Sequence, residues 1–175
     1  MTMDTSSHVS PGLLEVFVMN SSQTTYIDTD VLVIGGGFAG TSAALRAAEL
    51  GAHVVLVDKA FVSRSGASTM MGGVTTAPLD GEDLTPWMEE FVQRGNYLVN
   101  QDRTRQLLED QRERLKEMSE WGIPIIKDKD GNVRRFLSRG MVHVRCLQFI
   151  PKETMEILRD LAIARGVTVL DRVVV

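Results

Sequence analysis

Two short apolar runs set the pattern of the first half of the chain. Asp30-Val31-Leu32-Val33-Ile34 and His53-Val54-Val55-Leu56-Val57 are continuous rather than alternating, and rich in β-branched residues. That pattern predicts strands buried on both faces, as in a parallel sheet. Between them, Gly35-Gly36-Gly37-Phe38-Ala39-Gly40 reads as a turn, and the alanine-rich stretch from Ala43 to Leu50 as a helix. Strand, helix and strand in this order form a βαβ unit, so the fold class is α/β.

Helical spacing returns further along. Thr85-Pro86 predicts a helix start, with Thr85 as N-cap, Pro86 at the first position and Glu89-Glu90 in the early turns. This helix should run to about Leu98 with Trp87, Met88, Phe91 and Val92 facing inward. Asp102 to Trp121 predicts a second helix, densely charged, with a narrow apolar stripe at Leu107, Leu108, Leu115 and Met118; its charges suit a solvated face with i,i+4 pairs. Gly122 stops it. Ile123 to Ile126 is a short extended piece, and Lys127 to Asn132 a hairpin turn around Asp130-Gly131. Phe136 to Phe149 reads as irregular and basic. Pro151 opens a last helix to about Ala164, with Met155, Leu158, Leu161 and Ala162 on one face. Gly166 closes it, and Val167 to Leu170 starts a strand whose β-branched pattern continues through Val173-Val174-Val175.

Composition narrows the function classes. Of 175 residues, 43% are apolar and 24% charged, with a net charge of −4, which gives no basis for nucleic acid or an anionic membrane surface as partner. No run approaches the roughly 18 apolar residues of a membrane-spanning helix. Cys146 is the single cysteine, which excludes an internal disulfide framework and a thiolate-rich metal site, and points to an intracellular, cytoplasmic protein. Asp128 and Asp130 resemble the start of a calcium loop, but no Glu closes it, so no metal site is assigned. The stretch 1–28 holds no Lys or Arg, which disfavours a secretory signal or transit peptide. It is expected to be a disordered Ser/Thr-rich extension, or to include a stretch ahead of a true start at Met19.

The glycine turn carries the chemistry. Gly35 suits the tight turn out of the strand, Gly37 lets backbone approach a pyrophosphate, and Gly40 lets the helix lie close on the sheet. The pyrophosphate would sit over the helix N-terminus, where unpaired N–H groups and the macrodipole favour negative charge. Asp58 stands at the end of the second strand, where a carboxylate accepts hydrogen bonds from ribose hydroxyls and repels a 2′-phosphate. Strand, glycine turn, helix, strand and acid together predict a dinucleotide site, with NADP the least favoured ligand.

The next segment, Arg64-Ser65-Gly66-Ala67-Ser68-Thr69-Met70-Met71-Gly72-Gly73-Val74, is almost entirely small or hydroxylic after one Arg. With Asp58-Lys59 before it, this stretch resembles the flavoprotein subunits of the succinate dehydrogenase and fumarate reductase family, whose relatives include L-aspartate oxidase and adenylylsulfate reductase. The resemblance covers positions from about 29 to 175, and about the N-terminal third of a family member. It implies a Rossmann-like FAD-binding domain, incomplete and lacking the capping (substrate) domain. It assigns Gly35, Gly37, Phe38, Ala39 and Gly40 to pyrophosphate, and Asp58 and Lys59 to ribose. Ser63, Arg64, Ser65, Gly66 and Ala67, with Gly72, Gly73 and Val74, go to the flavin side, and the backbone around Val173 to adenine. Members with covalent flavin carry His where this chain has Gly66, so the FAD is expected to be non-covalent; Met71 stands where Gln is common.

The activity implied is hydride transfer between FAD and a small dicarboxylate of the fumarate or succinate type. An iron–sulfur electron-transfer subunit is the implied partner, with membrane association through partner subunits. The family's substrate-binding residues lie downstream of the matched region, so no catalytic residue is assigned and the chain reads as a fragment. Three other readings stay open: an adenylylsulfate reductase α-type subunit, a tRNA-modifying flavoprotein, and a non-catalytic nucleotide-binding remnant. The resemblance also brings Arg139-Gly140 towards an anionic ligand, although a loop of exposed arginines is the plainer reading. His143 lacks a partner for base catalysis, and Cys146 reads as a buried structural thiol.

Overall fold

In the computed structural model the two valine-rich runs pair side by side. The structure describes residues 14–20 and 23–175, with side chains from Tyr26 onward. The chain divides into two compact units, Met1–Ser68 with Leu158–Val175, and Thr69–Ile157.

The first unit is built on strands β3 (Val31–Ile34), β4 (Val54–Asp58) and β8 (Thr168–Asp171), in the order β3-β4-β8 and all parallel. Helix α1 (Phe38–Glu49) makes the crossover from β3 to β4, and helix α5 (Pro151–Ala164) leads into β8. β4 is the central strand, and its alternation explains its unbroken apolar run. Val54 and Leu56 pack with Ala44 of α1, Ala162 of α5, Val62 and Val167. Val55 and Val57 face the other way, against Ile27, Leu32, Leu170 and Val173.

Residues predicted to be disordered form strands instead. β1 (Leu14–Asn20) and β2 (Gln23–Thr29) pair antiparallel, in register from Leu14↔Thr29 to Asn20↔Gln23. Gln23 to Thr29 is rich in Thr, with a Tyr and an Ile, a composition that fits a pleated surface; absent basic charge argues against a targeting signal but says nothing about β structure. The rest of the expected extension, positions 1–13, 21 and 22, lies outside the described residues.

The second unit holds α3 (Thr85–Arg94), α4 (Gln101–Glu120) and the antiparallel sheet β5 (Val74–Thr76), β7 (Arg145–Gln148) and β6 (Phe136–Leu137), ordered β5-β7-β6. The short helix α2 (Ala67–Met70) links the two units in sequence. Leu84, Trp87, Met88, Leu108 and Val144 form this unit's apolar cluster. The basic stretch 136–149, expected to be irregular, contributes two strands. Short strands such as Phe136–Leu137 carry too few residues for alternation to show, so pairing decides them.

Several boundaries differ from the sequence reading. Thr85 is the first helical residue rather than the cap of α3, and Asp83 Oδ1 accepts its N–H at 2.9 Å. α3 stops at Arg94, because Asn96 and Tyr97 take φ of 49° and 61° and turn the chain. Leu107, expected on the buried stripe of α4, is 55% exposed, whereas Leu108 and Met118 are buried. β8 ends at Asp171, and Arg172, at φ 60°, turns the chain out of the sheet before Val173.

Candidate dinucleotide-binding site

The glycine turn leaves the carboxyl end of β3, and its geometry shows why glycine is needed there. Gly35 has φ of 101°, a backbone state that side-chain-bearing residues rarely adopt, and its N–H donates to Val57 O at 2.8 Å. A Cβ on Gly40 would lie 1.8 Å from Gly35 O, so α1 rests directly on the turn. A Cβ on Gly36 would meet Val62 at 2.8 Å, so the loop after β4 packs on the turn as well.

The two ends of the site are joined by hydrogen bonds. Asp58 Oδ2 accepts the Gly36 N–H at 2.7 Å, and Oδ1 accepts the Ala60 N–H at 2.7 Å. The acid placed by its spacing therefore also organises the turn, with lone pairs left on both oxygens for ribose hydroxyls. At the N-terminus of α1 the N-cap Gly37 has no side chain to offer, and Ser68 Oγ accepts the Phe38 N–H at 3.0 Å. A Cβ on Gly37 would sit 3.0 Å from that hydroxyl.

A pyrophosphate fits this geometry. The first-turn N–H groups of an α-helix have no intrahelical acceptor. Here an oxygen is already accommodated against one of them, with no Cβ in the way. The turn, the helix end and the half-buried Asp58 suit a dinucleotide's diphosphate and ribose. Ser68 is not among the residues assigned from sequence; its only signal there is its place in a run of small hydroxylic residues.

Other assigned residues are distributed unevenly. Phe38 and Ala39 open α1, and Lys59 and Arg64 are exposed on the loop after β4. Ser63 is 1% exposed, with φ of 59°; its Oγ lies 3.0 Å from Thr41 Oγ1 and its N–H donates to Gly36 O at 2.9 Å. The structure thus uses the Ser63 side chain to brace the turn rather than to line an open surface. Ser65 Oγ donates to Phe61 O at 2.8 Å, Gly66 has φ of 80°, and Ala67 begins α2. Val173 donates its N–H to Asp58 O at 2.9 Å, so the segment assigned to adenine runs beside the acid.

Gly72, Gly73 and Val74 belong to the second unit. A Cβ on Gly73 would lie 2.2 Å from Phe149 O, so this glycine is required by the approach of the segment after β7. In the same unit, Arg139 and His143 are exposed in the loop between β6 and β7. Sequence reasoning missed what holds that loop. Glu90 of α3 is 7% exposed and accepts N–H groups from Val142, His143 and Val144 at 2.6, 2.7 and 3.0 Å. Burial pushes its pKa up, but the three backbone donors and His143 outweigh burial and hold it below the ordinary value. Arg94, one turn on, donates to Gly140 O. Cys146 is buried, and burial raises its pKa, as suits a structural thiol. Among the described residues no cluster of three metal-ligating side chains occurs, and no helix is long and apolar enough to cross a membrane.

Comparison with known proteins identifies the family and the cofactor. Residues 30–172 match the family described as FAD binding domain. The fumarate reductase flavoprotein subunit of Wolinella succinogenes that uses 8-methylmenaquinol is 33% identical over 150 residues, covering 81% of this chain and 24% of that protein. The Mycobacterium tuberculosis fumarate reductase flavoprotein subunit is 31% identical, over 59% of this chain and 18% of that protein. Among solved structures, E. coli quinol fumarate reductase superposes with a TM-score of 0.72 at 22% identity, covering 82% of this chain and 26% of that one. Adenylylsulfate reductase from Archaeoglobus fulgidus does so with a TM-score of 0.65 at 25% identity, covering 82% and 24%. The chain spans a quarter or less of the length of these curated relatives. It belongs to the FAD-binding domain family, with FAD as its cofactor and fumarate reductase and succinate dehydrogenase flavoprotein subunits as relatives.

Proposed function

We propose that this chain holds FAD non-covalently for a flavoprotein oxidoreductase that exchanges hydride with a small dicarboxylate of the fumarate or succinate type. The observation that carries the reading is 33% identity to a fumarate reductase flavoprotein subunit across 81% of the chain. Bound FAD supplies a two-electron acceptor and donor. The chain's own residues do the holding: the α1 N-terminus with Gly37, Phe38, Ala39 and Gly40 takes the diphosphate, Asp58 and Lys59 the ribose, and the segment from Arg64 to Ala67 the flavin side. Gly66 offers no nucleophile for a covalent bond, and its φ of 80° disfavours a side chain there. An iron–sulfur protein is the proposed electron partner, and any membrane attachment would pass through such partners.

An adenylylsulfate reductase α-type subunit is the second reading, supported by the 25% identity and the 0.65 TM-score to that enzyme. Anaerobic stopped-flow separates the two. The flavin of the full-length protein, chemically reduced, should be reoxidised by fumarate and not by adenylylsulfate. The opposite selectivity would transfer the proposal to the second reading, and reoxidation by neither would leave only FAD binding.

A further inference from the structure

One side-chain contact at the carboxyl ends of β4 and β8 is not explained by packing of the core. The guanidinium carbon of Arg172 lies over the ring of Phe61, 4.7 Å from its centroid. Phe61 is 41% exposed and Arg172 is exposed. Arg172 adopts φ of 60°, a left-handed conformation that is disfavoured for a residue carrying a Cβ. Among the described residues its guanidinium has no carboxylate partner. A strained backbone therefore presents a cation against an exposed aromatic ring, where it closes no part of the core.

The backbone locates the pair. The Arg172 N–H donates to Ala60 O at 2.7 Å, and the Val173 N–H donates to Asp58 O at 2.9 Å. The stack thus stands next to the carboxylate that suits the adenosine ribose, on the loop that follows it. A guanidinium is planar and weakly hydrated, and stacks on π-faces. With one face on Phe61, its other face is a ready surface for a purine, and the rotamer freedom lost on stacking is already reduced.

We propose that Arg172 and Phe61 form a stacking platform for the adenine ring of FAD. The platform rests on the reading of this chain as an FAD-binding domain. Phe61 is the support and Arg172 the contact surface. Backbone groups near Val173 recognise the base edge, whereas the platform reads its face.

Arg172→Gly tests this cleanly, because glycine accepts the positive φ and removes the stack while relieving backbone strain. Dissociation constants for FAD and FMN are measured on the full-length apoprotein by flavin fluorescence quenching, with ADP as a competitor and a thermal melt as the control for folding. The expected result is an unchanged or raised melting temperature, FAD and ADP weakened about 5- to 150-fold, and FMN unchanged. Phe61→Leu should shift FAD in the same direction, and Phe61→Tyr should leave it near the wild-type value. Equal weakening of FAD and FMN, or unaltered FAD and ADP affinity, would overturn the platform. Wild-type protein that binds neither flavin would remove the FAD reading itself, and the platform with it.

Discussion

Replacing Asp171 by Asn probes the brace behind the glycine turn. Arg159 of α5 grips the Asp171 carboxylate through both oxygens, Nη1 to Oδ1 at 3.0 Å and Nη2 to Oδ2 at 2.8 Å. The Val62 N–H donates to Oδ1 at 2.8 Å, and Arg159 Nη1 donates to Val62 O at 2.9 Å. The two side chains are only 15% and 23% exposed. Asparagine keeps the shape but has one acceptor atom, so one charge-assisted bond becomes charge–neutral and another is lost. Hydrogen bonds to charged groups contribute about 1.5–3 kcal/mol each, and an abandoned guanidinium adds a desolvation cost. Partial solvent access reduces both, giving a net loss of about 2–3 kcal/mol. That corresponds to a melting temperature lower by about 4–12 °C for a domain of this size.

The same pair sets a pH dependence. The Arg159 guanidinium, helped by the Val62 N–H, holds the Asp171 carboxyl below its ordinary value despite burial. A carboxyl with a depressed folded-state pKa contributes fully above its unfolded value, about 3.9, and loses that contribution as pH falls through the folded value. Urea melts of wild type and Asp171→Asn should therefore differ by the full amount from about pH 5 to 7, and the gap should narrow steadily below about pH 4. A gap that persists unchanged into strong acid would refute the electrostatic account, and no gap at neutral pH would refute the brace.

Three further perturbations have defined outcomes. Gly40→Ala places a methyl carbon 1.8 Å from Gly35 O, so α1 must lift off the turn; purified protein should lack flavin absorbance and melt earlier, by several kcal/mol of stability. Ser68→Ala removes the acceptor of the Phe38 N–H and should cost about 0.5–2 kcal/mol in apoprotein melts. Glu90→Gln leaves an amide among three N–H donors and should free the loop, read as faster tryptic cleavage after Arg139 in otherwise folded protein, with a cost of about 1–3 kcal/mol.

The βαβ unit was legible because each of its signals is local. Consecutive aliphatic residues mark a strand, and Gly35 and Gly40 mark a turn under a helix, since both requirements are met within one short stretch. What escaped was non-local. Strand β7 exists because Arg145–Gln148 finds β5 and β6 on either side, and pairings such as Val74↔Gln148 join positions that no short window contains. Glu90 looks like an ordinary early-turn acid of a helix until the loop 142–144, far along the chain, closes on it. The antiparallel pairing of Leu14–Asn20 with Gln23–Thr29 is signalled by β-prone residues, to which the charge pattern of that stretch is blind.

Within the site itself the limit was of a different kind. Spacing proposes Asp58 for the ribose, yet spacing cannot show that its carboxylate also accepts the Gly36 N–H. Composition marks Ser68 as one small residue among several, yet its hydroxyl is the one that meets the first N–H of α1. Both residues satisfy backbone donors that a diphosphate-binding turn leaves exposed, and an unmet donor there would cost about 1–3 kcal/mol in the cofactor-free chain. The turn is therefore held by side chains that stand where the proposed function sets the diphosphate and ribose. Loss of either should weaken the apoprotein and FAD binding together, whereas loss of the Arg172 side chain, which stacks on Phe61 instead of bracing the turn, should weaken FAD alone.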